Sequence, residues 1–456
     1  METAVAATDA GSEATTAPEQ GPRPMTAARD LPEWPDEPAF ITTLRRQAWE
    51  RYASLPMPTR KTEEWRYTDL SGLDPDEFRP LAPEGLTIDS AEDLPEAVQG
   101  VITRDRHRAG IMVELNGAPV YLRLDPELEG SGLVYGPIAE VVRRHPRLIK
   151  QHLFQSAIAD MEQKLWSLHV ALLTGGYVVY VPRGLSLPAA IHNFHYIDRS
   201  GELASTHALI IAEPGAEVTV IDEFISPDLD APSLSLGGVE IFGQDQATVR
   251  YLALQRYGRG VKHFSMQHAT SQRGTRLAGY NVTLGADLSR SDVTSHLEGQ
   301  ESDSEMLALW FGDRGQHFDY QTLQHPAAPN AHSDLLYKGA LTDSADSVFR
   351  GLIRVDPGAQ LTDAYQTNRN LLLSEDSHAT SLPNLEIEAD DVRCSHGATV
   401  GQVDENMLFY LMSRGLDRQQ AERLLVFGFF DEVLKRIPVE GVRKRIGEAI
   451  EEKIGL

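Results

Sequence analysis

Pro214-Gly-Ala-Glu-Val-Thr-Val-Ile221 joins a turn to a run of strand formers, and the same turn chemistry returns at Pro357-Gly-Ala359. Pro and Gly punctuate the chain, while β-branched residues suit a pleated, half-buried surface. Short runs of this texture recur from Gly176 to about residue 395. They include Tyr177-Val-Val-Tyr-Val181, His207-Ala-Leu-Ile-Ile-Ala212, Ala247–Ala253, Asn281-Val-Thr-Leu284, Glu305–Trp310, Val348–Val355 and Leu385-Glu-Ile387. A Gly-Ala doublet often opens the next run, at 215–216, 285–286, 339–340 and 358–359. Many short strands suit a sandwich, a barrel or a β-helix. The hairpin dipeptides Asn-Gly and Asp-Gly are absent from this stretch, which weakens a meander. Recurring small-residue corners favour a solenoid of stacked coils, although no strict repeat is visible.

Helical signals flank the β region. From Phe40 to Ser54, residues Leu44, Ala48 and Tyr52 share one face, and Pro56-Met-Pro58 breaks the pattern. Further helices are expected over Pro137–Leu153 and Gln155–Leu173, the second with an apolar stripe of Ile158, Met161, Leu165 and Leu172. They end at Thr174-Gly-Gly176. Beyond Gly401, Asp404 caps a helix that ends at Gly415, and Asp417-Arg-Gln-Gln420 forms a capping box for the next. That helix stops before Pro438, and a third spans Val439 to Ile454. The organisation expected is a disordered acidic tail over 1–38, an N-terminal helical domain of mixed α/β character over 39–173, a β core over 174–395 and a C-terminal helical domain over 396–456.

The helix after Asp417 is apolar on two stripes. Leu424, Leu425, Gly428, Phe429 and Val433 form one, and Phe427, Phe430, Leu434 and Ile437 the other. Such a helix must be covered on most sides. It either packs back on the β region or offers a docking surface to a partner.

The 456 residues carry a net charge of −25 and 41% hydrophobic content. The length suits two to three domains with a sizeable core. Such an acidic surface argues against nucleic acid and anionic lipid as partners. One cysteine permits no disulfide within the chain, and a reducing compartment fits. The first residues lack the basic and apolar regions of a signal peptide. No apolar run approaches the roughly 20 residues of a membrane span. A cytoplasmic location is therefore expected. P-loop, Gly-x-Ser-x-Gly, Cys-x-x-Cys and His-Glu-x-x-His motifs are all missing, so the chain reads as a non-enzyme that binds no nucleotide itself. His192 and His195 would point to opposite faces of a strand. The acidic residues Glu386, Glu388, Asp390 and Asp391 read as a solvated face.

Cys394-Ser-His396 stands apart. Positions i and i+2 of a strand share a side, so the only thiol and an imidazole project together, as two metal ligands would. Two ligands do not close a zinc or iron–sulfur site, and the rest would come from another chain. The plainer alternative is a buried strand end with a small thiol and a hydrogen-bonded histidine.

Several pieces in order resemble the SufB/SufD family of iron–sulfur cluster assembly proteins. They are Arg60-Lys-Thr-Glu-Glu-Trp65-Arg-Tyr67-Thr, Lys338-Gly-Ala-Leu, Phe349-Arg-Gly351, Ala359-Gln-Leu-Thr-Asp363-Ala, Gln366, Asn370-Leu-Leu-Leu-Ser374, Pro383-Asn-Leu-Glu-Ile387, Asp391-Val-Arg-Cys394-Ser-His396-Gly-Ala-Thr, Leu408-Phe-Tyr410 and Ser413-Arg-Gly415. The resemblance covers roughly residues 40 to 456. It implies a right-handed parallel β-helix between helical domains, and a complex of one SufB, one SufD and two copies of the SufC ATPase. It implies that SufC docks on the C-terminal helices, through Leu424, Phe427, Phe429, Phe430 and Leu434. The lone Cys394, the absence of a histidine after His396, and His396-Gly-Ala-Thr resemble the SufD side of the family more than the SufB side. Cys394 and His396 would then contact a transient iron–sulfur cluster shared with SufB across the β-helix interface, gated by SufC hydrolysis. The alternatives are a self-sufficient homodimeric scaffold facing two Cys394/His396 pairs, and a β-helix enzyme acting on polysaccharide.

Overall fold

The computed structural model describes residues 31–80, 88–104, 107–155 and 163–454. Ahead of the β core lie helices α1 (Ala39–Ser54), α2 (Glu96–Arg104), α3 (Ile138–Arg144), α4 (Pro146–His152) and α5 (Lys164–Ala171). Among them run strands β1 (Arg79–Pro80), β2 (Gly110–Leu115), β3 (Ala118–Leu124) and β4 (Val134–Pro137). The core comprises β5 (Gly175–Val181), β6 (Ile191–Tyr196), β7 (Glu202–Ala212), β8 (Glu217–Ile225), β9 (Ser233–Gly243), β10 (Thr248–Arg256), β11 (Val261–Ser271) and β12 (Arg276–Thr283). It continues through β13 (Leu288–Leu297), β14 (Asp303–Gly312), β15 (His317–Pro326), β16 (His332–Leu341), β17 (Asp346–Val355), β18 (Asp363–Leu372), β19 (His378–Ile387) and β20 (Arg393–Gln402). Helices α6 (Glu405–Ser413), α7 (Arg418–Arg436) and α8 (Glu440–Ile454) follow.

From β5 onward, odd-numbered strands make one sheet and even-numbered strands the other. Each strand pairs in parallel with the one two places along, as β9 does with β7 and β11. Successive strands therefore alternate between sheets, and eight coils stack into a parallel β-helix. The expected mainly β fold with flanking helices is the fold observed. The first coil is capped. β2 pairs with β6, and β4 pairs antiparallel with β5, so the N-terminal region covers that end of both sheets.

The corners explain why no strict repeat is visible. One corner recurs with positive φ at Gly184, Gly215, Gln246, Gly274, Glu301, Asn330 and Leu361, 27 to 31 residues apart. Stacked backbone hydrogen bonds hold it, as from Gly184 N–H to Pro214 O and from Gly215 N–H to Asp245 O. A left-handed turn prefers Gly, but it is a single residue here and the neighbouring coils over-determine it. Gln, Glu, Asn and Leu therefore take the place of Gly, and the sequence loses the signature. Of the four Gly-Ala doublets, 215–216, 285–286 and 358–359 lie at turns, but Gly339-Ala340 lies inside β16. There a Cβ would stand 2.2 Å from Trp310 Nε1, so Gly339 makes room for an indole in the lumen.

Three expectations about the flanks need correction. The tail expected over 1–38 falls, for residues 1–30, outside the described residues. Its last part is packed rather than loose: Trp34 is buried, and its indole N–H donates to Thr174 O at 3.0 Å. Arg45 lies over that ring and pairs with Glu37 at 2.9 Å. The helix expected over Pro137–Leu153 is two helices, because Pro146 opens α4 and forces His145 out of helical geometry. The helix expected from Gln155 is observed only as α5; Ile158 and Met161 lie outside the described residues.

At the other end, Asp404 and the Asp417/Gln420 capping box start α6 and α7 as expected. Helices α7 and α8 lie on the outer face of the even-numbered sheet. Val426, Phe430, Val433, Val442, Ile446 and Ile450 pack there against Leu307, Leu309, Phe311 and Leu336. Each such large side chain contributes about 1.5–3 kcal/mol on burial. Among the described residues no helix is long and apolar enough to cross a membrane.

Candidate functional site

Strand β20 carries Cys394 and His396. It pairs with β18 alone, with Cys394 opposite Ala364 and His396 opposite Gln366. β19 pairs with β17 alone. Among the described residues the last coil thus ends in two unpaired strand edges, with no cap like the one on the first coil. Unpaired backbone groups in a row are a template for another strand.

Register settles which way the pair points. Ala364 and Gln366 are buried and line the lumen, whereas the intervening Tyr365 is exposed on the outside. Cys394 and His396 continue the inward row, so both face the open mouth of the solenoid. Cys394 is half-buried against Ile353, Val355, Ala359, Ala364 and Ala389. That burial pushes its thiol up, and a backbone contact at Ala364 only partly offsets it. A raised thiol stays protonated until a metal displaces the proton. His396 is exposed. Side chains at i and i+2 start about 7 Å apart, which suits two contacts on a cluster of several atoms better than one small ion. Among the described residues, no group of three or more His, Cys, Asp or Glu side chains is arranged to hold a metal ion. By itself the pair closes no metal site.

The residues expected to dock a partner divide. Phe430 is fully buried in the chain's own core and has no surface to offer. Phe427, Phe429 and Leu434 are partly buried against the same core. Leu424 alone is well exposed, at 53%. The correction is physical: the outer face of the even-numbered sheet is apolar and covers most of α7. Polar ties reinforce the seat. Lys338 Nζ donates to Phe429 O at 3.0 Å and pairs with Glu432 at 2.8 Å. Arg436 pairs with Asp334 at 2.8 Å, and Arg445 of α8 pairs with the buried Glu223.

An exposed apolar patch exists nearby, on a helix the stripe argument passed over. On α6, Met407, Phe409, Tyr410 and Met412 are exposed, Phe409 by 74%. The run Leu408-Phe-Tyr410 held the signal, since successive large apolar residues on one short helix cannot all face inward. His192 and His195 do point to opposite sides. His192 contacts Glu223 at 3.0 Å, and His195 contacts Glu114 at 2.6 Å inside the solenoid. Burial alone would lower His195, but Glu114 and Asp222 outweigh it and lift the imidazole to about 10. Glu386, Asp390 and Asp391 are exposed and gather no partners into a site.

Comparisons with known proteins bear on this arrangement. A family model described as the SUF system FeS cluster assembly SufBD core domain matches residues 195–429. A second, for the SufBD protein N-terminal region, matches residues 35–192. The iron–sulfur cluster assembly protein SufD of Bacillus subtilis is 29% identical over 424 residues, covering 92% of this chain and 95% of that protein. An iron–sulfur cluster assembly SufBD family protein of Pyrococcus horikoshii is 29% identical over 89% of this chain and 91% of its own length. Another from Synechocystis is 28% identical, covering 91% of each.

Proposed function

This chain belongs to the SufB/SufD family of the SUF system for iron–sulfur cluster assembly, and we propose that it acts there as a SufD-type scaffold subunit rather than as an enzyme. One observation carries the reading. The sole cysteine and His396 face the mouth of a solenoid whose last coil leaves both strand edges unpaired. A SufB-type β-helix seated on those edges would complete the sheets and bring further thiolates to the pair. The nascent cluster is cargo shared across that interface. A reducing compartment such as the cytoplasm suits a half-buried free thiol.

The test is co-expression with SufB- and SufC-type partners and anaerobic purification. His396→Ala is expected to lower bound iron and sulfide at least tenfold while the mass of the complex stays constant. Unchanged iron would reduce Cys394-Ser-His396 to ordinary packing. A stable homodimer with full iron, formed without a SufB-type partner, would favour the self-sufficient scaffold.

Exposed residues on α6 support a docking surface for a SufC-type ATPase there. Its centre is Phe409, with Tyr410, Met412 and Leu424 around it. Lys338, Glu432 and Arg436 tie the neighbouring helix to β14 and β16, and β16 pairs with β18 beneath the cluster pair. Hydrolysis in the partner would pull on this rigid connection and shift the open edges between two arrangements. Phe409→Asp is expected to weaken ATPase binding about 30-fold or more, the effect of losing a hot spot of ~2 kcal/mol. Its own melting should move little, because an exposed substitution costs within about 0.5 kcal/mol. Pull-down by the ATPase with an unchanged dissociation constant would remove α6 from the interface.

A further inference from the structure

The outer face of the odd-numbered sheet bears a groove of about 1,040 Å³. Glu63 and Glu64 of the N-terminal region stand at one wall, and Asn384 and Glu386 of β19 at another. His268 and His296 line it, and His325 of the next coil touches His296. His296 of β13 and His325 of β15 occupy paired positions. Their Nδ1 atoms lie 2.9 Å apart, with the rings at 65°. His268 of β11 stacks on the far side of His296, centroids 6.5 Å apart. On its other nitrogen, His325 is held by Asp356: Nε2 lies 3.0 Å from Oδ1.

That last contact fixes the chemistry. An imidazole whose Nε2–H is held by a carboxylate keeps its lone pair on Nδ1. His325 therefore presents an acceptor nitrogen to His296, which donates its Nδ1 proton across the 2.9 Å gap. We propose that His296 and His325 form a two-histidine site for a divalent first-row transition ion, bound through both Nδ1 atoms and oriented by Asp356. Two adjacent ligands at the usual metal–nitrogen distance stand about 3.0–3.4 Å apart, so the rings must part by a few tenths of an ångström and also turn, because in the hydrogen bond each Nδ1 points at the other and not at a shared third position. As the ion enters, His296 gives up its Nδ1 proton to solvent and takes one up on Nε2, so the neutral ring changes tautomer and no net proton is released. Imidazole suits iron, zinc, nickel and copper, whereas calcium and magnesium prefer oxygen. Water fills the remaining positions. An ion with two protein ligands is held exchangeably, unlike one in a closed four-ligand site. Choosing iron(II) as the ion rests on the assembly reading; the site itself does not.

The test uses the tag-free full-length chain alone, dialysed anaerobically against iron(II), with zinc(II) in parallel. One ion per chain is expected in the wild type and in His396→Ala. His296→Asn and His325→Asn should each weaken binding at least tenfold while melting as the wild type does. Asp356→Asn leaves both ligands in place and should weaken binding about tenfold or more through loss of orientation. No stoichiometric ion, or an ion indifferent to His296→Asn, would leave the two rings a hydrogen-bonded stack. Loss of the ion in His396→Ala, with retention in His296→Asn, would move it to the solenoid mouth. No partner is present, so these outcomes are independent of whether the complex assembles.

Discussion

Gly176→Ala is expected to give no folded protein, while Gly184→Ala gives a soluble one weakened by about 1–2 kcal/mol, the cost of a Cβ in left-handed backbone. Both glycines have positive φ, +114° and +70°. The difference is space. At Gly184 nothing lies within 4 Å of an added Cβ. At Gly176 that atom would stand 1.9 Å from the carbonyl oxygen and 2.4 Å from the nitrogen of His207, both backbone. His207 sits on β7 directly opposite Gly176 in the parallel ladder. It cannot step aside, because its ring is held by Glu240 at 3.1 Å and by His169 at 3.2 Å. The backbone N–H of Gly176 also donates to the buried Glu114. Relief would require opening the first coil where the N-terminal helices dock. The cost should exceed the ~4–5 kcal/mol that single substitutions rarely reach. Soluble yield and thermal melting of the two variants check this; a Gly176→Ala protein melting within a few degrees of wild type would show that the ladder can yield.

Glu223→Gln should cost about 3–5 kcal/mol, the penalty for breaking a buried ion pair from one side. Glu223 is fully buried on β8. It contacts His192 at 3.0 Å, Arg256 at 3.2 Å and Arg445 of α8. Burial by itself would raise the carboxyl, but the His192 hydrogen bond and the two arginines hold it well below the usual carboxylate range. Burial pushes His192 itself down, so the arginines are the charged partners. The glutamine removes the negative charge that faces the buried Arg445 at the seat of α8. The pH dependence has a definite sign. A depressed carboxylate contributes stability that is full above its unfolded value of about 4.3 and is lost as pH falls toward the folded value. The gap in denaturant midpoint between wild type and Glu223→Gln should therefore be constant near neutrality and begin to close below about pH 4. A gap that persists undiminished into strong acid would assign the effect to packing instead of charge.

How much was legible depended on the range of the signal. The C-terminal helices were legible because Asp404, Asp417, Gln420 and Pro438 act within a turn of the residues they cap or stop. Cys394 and His396 were legible because strand geometry puts i and i+2 on one side. The stripe on α7 was read correctly as needing cover, but periodicity cannot name the cover. The sheet took Phe430, and the exposed apolar residues lie on a different helix, α6, with Phe409 among them. The His195–Glu114–Asp222 cluster was invisible, since its members lie on strands that only the coil stacking brings together. The corner glycines were half legible, because Gln246, Glu301, Asn330 and Leu361 take the same left-handed turn.

Stacked coils also act as a ruler. Each adds one strand spacing, about 4.8 Å, to the length of the solenoid. Helix α7 is clamped to β14 and β16, and Cys394 rides on β20, so the number of rungs between them sets the length of the arm from that helix to the thiol. A change in that arm cannot come one residue at a time. A one-residue insertion within a strand would turn the inward row outward and eject the thiol from the mouth. Lengthening the arm without that inversion requires a whole coil, so its length changes only in discrete steps.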